Sequence, residues 1–136
     1  MIESIQPEGW KAPKGYSNGM LVSGEARWLF IAGQIAWDAD CNLVGAGDFV
    51  AQLRQALANV LSVVRAAGGQ AENLVELTIY VVDKRPYSEA QREIGAVYRE
   101  EIGRHFPAMA LVQVADLLEP GALVEVQGRA ALPPLS

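Results

Sequence analysis

"NLVELTIYVVD", residues 73 to 83, decides how the rest of the chain must be read. It is rich in β-branched residues and alternates at a period of two, which predicts a strand over 74 to 82. The segments on either side have a different period. Upstream, Val50, Leu53, Leu57, Val60, Leu61 and Val64 recur at three and four, with Gln52, Gln55, Asn59 and Ser62 on the opposite face. That pattern predicts an amphipathic helix over 48 to 67, with Asp48 as its N-cap and Gly68-Gly69 as its stop. Downstream, Pro86 suits a helix start, and Tyr87, Ala90, Ile94, Val97 and Ile102 form the buried stripe of a second helix reaching about Gly103.

Working outward, "MLVSGEARWLFIAGQIAW" at 20 to 37 holds two apolar runs separated by Gly24, Glu25 and Ala26, the pattern of a hairpin with a glycine-containing turn. Two late strands, "AMALVQV" at 108 to 114 and "ALVEVQGRAAL" at 122 to 132, are joined by a turn around Glu119, Pro120 and Gly121. The expected order is β-β-α-β-α-β-β. This is an α+β fold with one mixed sheet and two helices on one of its faces.

A chain of 136 residues fits one domain, here 1 to 136, and its 51% hydrophobic and 20% charged residues are globular composition. The net charge is −5, with 11 basic residues scattered among 16 acidic ones, which argues against a general nucleic-acid binder. One cysteine, Cys41, excludes an intramolecular disulfide, and with one histidine, His105, it leaves little for a soft metal site. Cys41 sits in the turn-like "WDADCNLVG" and reads as a tolerated loop thiol. No signal peptide or bilayer-length apolar run is present, so no membrane association is expected and the cytoplasm is the expected location.

Two helices cover one sheet face, so the other face decides whether the monomer can stand alone. Trp28, Phe30 and Ala32 alternate with Leu29 and Ile31, and both sets are apolar. In the late strands Met109 and Leu111 lie opposite the small residues Ala108, Ala110 and Val112. An uncovered apolar face marks an interface, and a chain with no spare helix most simply buries it against copies of itself. In the last strand Glu125, Gln127 and Arg129 point one way, and the small apolar set Val124, Val126, Gly128 and Ala130 packs under the helices. Glu125 therefore faces the intersubunit side, and Met109 and Leu111 are expected there with it.

A carboxylate on that face must be paired or used. Its structural use would be an ion pair with Arg27 or a neighbour's Arg129; along the same strand Arg129 is about 13 Å away, too far for direct pairing. Its functional use would be as a general base or water-orienting group between apolar walls.

Tyr16 in "GYSNGMLVSG", "FIAGQIAWD" at 30 to 38, Gly68-Gly69, "VELTIYVVD" at 75 to 83, "FPAM" at 106 to 109 and "LVEVQGRA" at 123 to 130 together resemble the RidA (YjgF) family, also labelled endoribonuclease L-PSP. The resemblance runs in order over nearly the whole chain. It implies a chorismate-mutase-like fold assembled as a homotrimer, with a small-molecule ligand in each intersubunit cleft. It also implies hydrolysis of reactive enamines and imines, such as 2-aminoacrylate, to a keto acid and ammonia, without a metal or organic cofactor.

Carried over residue by residue, the family's site would place Glu125 and Tyr16 as catalytic residues. Ala32, Gly33, Met109, Ala110 and Leu111 would line the ligand. The family's deaminating members have an arginine after the P-A pair that grips the substrate carboxylate, a task suited to a guanidinium fork. Here that position is Met109. Leu111 stands where many members have cysteine, and Ala32 where serine is common.

Two functions from different classes follow. In the first, the chain hydrolyses an imine, enamine or related small molecule but is not an efficient 2-aminoacrylate deaminase. Glu125 would activate water, N–H groups near Gly33 and Ala110 would hold developing charge, and Tyr16 would close over the ligand. In the second, the trimer is a non-catalytic small-molecule binding or regulatory module. A ribonuclease lacks an evident acid/base pair here. Arg27, Arg104, His105 and Arg129 read first as rim or solvated groups; His105 follows Gly103, where a cation suits a helix C-terminus. Tyr98 reads as part of the second helix's packing edge.

Overall fold

The structure is a computed structural model and describes residues 1 to 135. Its strands are β1 (Ile2–Ile5), β2 (Gly19–Val22), β3 (Arg27–Gln34), β4 (Leu74–Val81), β5 (Ala108–Gln113) and β6 (Val124–Leu132). Its helices are α1 (Phe49–Ala66), α2 (Arg85–Glu89) and α3 (Gln91–Glu101), with a 3-10 turn at Ala71–Asn73. A four-stranded mixed sheet has the order β3-β6-β4-β5, and β1 pairs with β2 in a separate small sheet. β4 and β5 are parallel, which α2 and α3 make feasible by carrying the chain back along the sheet. β6 then enters antiparallel between β3 and β4.

The strand that began the reading is the buried centre of one sheet face. Leu77, Ile79 and Val81 of β4 join Val124 and Val126 of β6 and Ile31 of β3 against Leu53, Leu57, Val60, Leu61 and Val64 of α1. Each fully buried Leu or Val contributes about 1.5–3 kcal/mol relative to exposure. α1 starts and stops as its sequence requires. The Ala51 amide donates to Asp48 Oδ1 at 3.1 Å, and Gly68, at φ 86°, reverses the chain as its amide bonds to the Arg65 carbonyl at 2.9 Å.

Four expectations are corrected. β2 and β3 do not form a hairpin: β2 pairs with β1, and β3 with β6 from Arg27↔Leu132 onward. The Gly24 turn passes the chain from the small sheet to the large one, because the nine-residue β6 offers β3 a longer ladder than the four-residue β2 can. The second helix is broken at Ala90, whose φ −112° and ψ 36° separate α2 from α3, although Ile94, Val97 and Ile102 are buried as the stripe requires.

Gln52, assigned to the polar face of α1, is fully buried. Its amide donates to the Gly45 and Gly121 carbonyls at 3.2 and 3.1 Å and accepts from the Leu123 amide at 2.8 Å, tying two loops to the helix. Gln52→Leu would leave these three backbone groups without that partner. It is expected to destabilise the fold by about 2–5 kcal/mol, read as a lower urea midpoint with unchanged slope.

The fourth correction concerns the faces of β5. Leu77 stands opposite Met109 and Ile79 opposite Leu111, so both bulky residues follow β4's apolar set to the helix side. Ala108, Ala110 and Val112 take the open face, alongside Glu76, Thr78 and Tyr80. Volume explains the choice: the helix side needs large apolar groups beside α3, and small residues cannot supply them. Glu125, opposite Tyr80, is on the open face as expected. No helix covers that face, and Trp28 and Phe30 stand on it 51% and 69% exposed.

Candidate functional site

The sequence-derived site residues fall into two groups on opposite sides of the sheet. The first is Glu125 with Ala32 and Gly33. The β3–β6 register shifts between Ile31 and Gln34, and this irregularity places Ala32 and Gly33 exposed beside Glu125. A Cβ on Gly33 would overlap the Glu125 carboxylate, so the glycine is what lets that side chain lie across β3. The far end of β3 is anchored from α1, where Asn59 Nδ2 donates to the Ile35 and Trp37 carbonyls at 3.0 and 2.9 Å.

Both arginines considered as partners for Glu125 are engaged elsewhere in the chain. Arg27 Nε donates to the Pro133 carbonyl at 2.9 Å. Arg129 Nε lies 3.8 Å from Glu76 Oε1, with its guanidinium 5.6 Å from the Phe30 ring centre. Among the described residues Glu125 is partly buried and belongs to no ion pair. The hydroxyl directly opposite it in register, on Tyr80, donates to Gln127 Oε1 at 2.8 Å.

The second group is Tyr16, Met109 and Leu111, which together with Ala110 of the edge strand, whose Cβ is on the open face, line a cleft of about 400 Å³ between α3 and the sheet edge at β5. Ser17 brings Tyr16 there: its amide donates to the Pro107 carbonyl at 3.1 Å and its hydroxyl to the Phe106 carbonyl. A second hydroxyl contact, Ser4 to Ser17 at 2.9 Å, ties β1 to the same point. The remaining wall of the cleft includes Tyr87, Gln91, Gly95 and Tyr98.

The Tyr87 and Tyr98 hydroxyls lie 2.9 Å apart. Burial raises the pKa of both phenols, and the neighbouring Tyr87 adds to the rise at Tyr98, so both stay neutral and can donate or accept within the cleft. Sequence reasoning placed these tyrosines in packing and missed their pairing. An unbroken helix would set residues 11 apart about 16 Å from each other along its axis, so only the break at Ala90, which the sequence reading did not foresee, lets the two hydroxyls meet.

A second cleft of about 410 Å³ adjoins the first and shares Gly15, Gly95, Tyr98 and Met109 with it. Arg99, Arg104 and His105 line this second space and not the first. His105 Nε2 bonds to the Leu74 carbonyl, which fixes the loop before β5 against the start of β4. Among the described residues no three His, Cys, Asp or Glu side chains gather in a metal-holding arrangement, and no helix is long and apolar enough to cross a membrane.

Within one chain, then, the two groups do not meet: β4 separates β6 from β5, and Met109 and Leu111 point away from the face that carries Glu125.

Comparison with known proteins matches residues 9–132 to the family described as endoribonuclease L-PSP. A goat (Capra hircus) protein named 2-iminobutanoate/2-iminopropanoate deaminase is 33% identical over 129 residues, covering 93% of this chain and 88% of the relative. A RutC family protein of Pyrococcus horikoshii is 31% identical over 127 residues, covering 93% of this chain and 95% of its own length. Among solved structures, YyfB of Yersinia pestis, described as a protein of unknown function of the conserved Rid family, superposes with a TM-score of 0.84 at 36% identity. That match covers 96% of this chain and 98% of the other.

Proposed function

Because the chain belongs to the RidA (YjgF) family, also described as endoribonuclease L-PSP, we propose that it is a deaminase-type hydrolase of imines or enamines. It works as a homotrimer whose sites form where subunits meet. The observation that carries this reading is Glu125: a carboxylate without an ion-pair partner among the described residues, given room by Gly33, on a sheet face that none of the described helices covers. Packing that face against a second copy's β5 edge would join Glu125 to the cleft holding Tyr16 and Met109. It would also bury Trp28 and Phe30.

In such a cleft Glu125 takes a proton from water as the oxygen attacks the imine carbon. The carboxyl returns that proton to nitrogen, giving the carbinolamine; a second transfer through the carboxylate, from the carbinolamine hydroxyl to nitrogen, expels ammonia and leaves the carbonyl compound. Edge-strand N–H groups of β5 and the irregular backbone at Gly33 are the donors available to developing charge. The neutral tyrosine hydroxyls orient the substrate without adding charge.

Met109 determines which imines are served. A thioether offers no charge-assisted contact to a carboxylate, and Leu111 and Ala32 add none. We expect iminopyruvate to be hydrolysed poorly relative to imines without a carboxylate next to the C=N bond. Met109→Arg is expected to raise its kcat/KM about ten- to hundredfold, the 1.5–3 kcal/mol of a charge-assisted contact. An unchanged value in steady-state assays of imines generated in situ would remove position 109 from carboxylate recognition. The apolar strand wall favours the non-catalytic binding module as the second reading. It prevails if no imine in the panel reacts faster with protein than in buffer.

A further inference from the structure

The strand wall of the first cleft is apolar at Met109 and Leu111 and Lys14 is the one cationic residue lining that cleft, whereas two guanidiniums line the space beside it. Arg99 of α3 and Arg104 of the loop after it both line the second cleft and neither lines the first. This is notable in a chain with 11 basic and 16 acidic residues, because neither arginine is in an ion pair among the described residues. The three ion pairs among the described residues engage Arg54, Arg85 and Arg129.

The passage between the clefts is kept open by Gly95. A Cβ there would meet only Arg99 Nη1, at 3.5 Å, so the Arg99 side chain folds back along α3 toward the junction. A glycine in a helix interior costs about 1 kcal/mol relative to alanine, a cost with no backbone reason here since Gly95 has no positive φ. Its neighbours at the junction, Met109 and Tyr98, give the passage apolar walls.

We propose that the joined clefts bind a carboxylate carried on an apolar body, with the anion held by Arg99 and Arg104 in the second cleft and the body crossing Met109 and Tyr98 into the first. Arg99 and Arg104 are specificity-determining residues. Resting on the deaminase reading, the inference names the substrate class: imines whose carboxylate is separated from the C=N bond by an apolar spacer of roughly one helical turn, about 6 Å. Three-carbon imino acids, with the two groups on adjacent carbons, cannot reach both ends.

The test uses 4-phenylbutanoate and its neutral amide as probes, titrated calorimetrically into the full-length protein and into Arg99→Gln/Arg104→Gln and Gly95→Leu. The acid is expected to bind the parent at least about tenfold more tightly than the amide, as one charge-assisted contact provides. The double variant is expected to erase that preference while binding the amide as the parent does. Gly95→Leu, by filling the junction, is expected to weaken both probes.

Equal affinity for acid and amide, a preference that survives in the double variant, or no binding of either probe would overturn the inference. Imine turnover is assayed separately. Arginine-dependent binding without turnover of any imine would retain this site and remove the hydrolase reading. Turnover without acid preference would retain the hydrolase and remove the site.

Discussion

Glu125→Gln is expected to lower the turnover of any imine the protein hydrolyses by about 10²–10⁴-fold, the range for removing a positioned general base. Glutamine keeps the shape that fits over Gly33 but cannot take a proton from water. The oligomeric mass and the melting temperature should therefore stay near those of the parent while kcat falls. KM should move little, since an amide can still hydrogen-bond the substrate. Equal kcat values for the two proteins would remove Glu125 from the mechanism. A variant that lost both mass and activity would instead assign the carboxylate to assembly.

The second large effect is expected from Phe30→Asp. Phe30 is 69% exposed in the single chain, so its side chain contributes little to the fold of one subunit. If the open face is an interface, a carboxylate at its apolar centre would be buried beside Trp28. Loss of one central aromatic contact typically costs 2 kcal/mol or more, roughly a thirtyfold weaker association. Far-ultraviolet circular dichroism should be unchanged, while sedimentation shifts toward the single chain and activity is lost with the shared site. Parent-like sedimentation at micromolar concentration would place Phe30 outside any interface.

The parts of this fold that were legible in the sequence are those where period and composition agree. β4 alternates, α1 repeats at three and four, and Asp48 and Gly68 mark its ends with residue types that only a cap or a left-handed turn rewards. Glu125 could be assigned to the open face because β6 alternates polar with small apolar residues, so one register alone hides the apolar set.

Pairing partners were less legible. "IESI" at β1 is four residues long, too short to announce a strand, and without it the Gly24 turn resembles that of a hairpin. The face of Met109 was not legible because "AMALV" is apolar on both sides. Alternation without contrast carries no direction, and only the register against Leu77 and Ile79 supplies one. Gln52 failed for a related reason: a polar residue read by type belongs on the solvent face, but a buried amide that satisfies three backbone groups is as stable inside.

The candidate site shows the same division. Glu125 was singled out by the alternation of β6, and Tyr16, Gly33 and Met109 were proposed through resemblance, yet the sequence could not show that they occupy two sides of one sheet. Their separation makes the subunit boundary central to the account: if Glu125 and the Tyr16 cleft act on one molecule, they do so from different copies.

Multi-angle light scattering of the unmodified chain at micromolar concentration tests that claim most directly. A mass three times the 14.6 kDa of one chain is expected. A stable species at 14.6 kDa would contradict it, because the face that carries Glu125 would then have no second copy to meet.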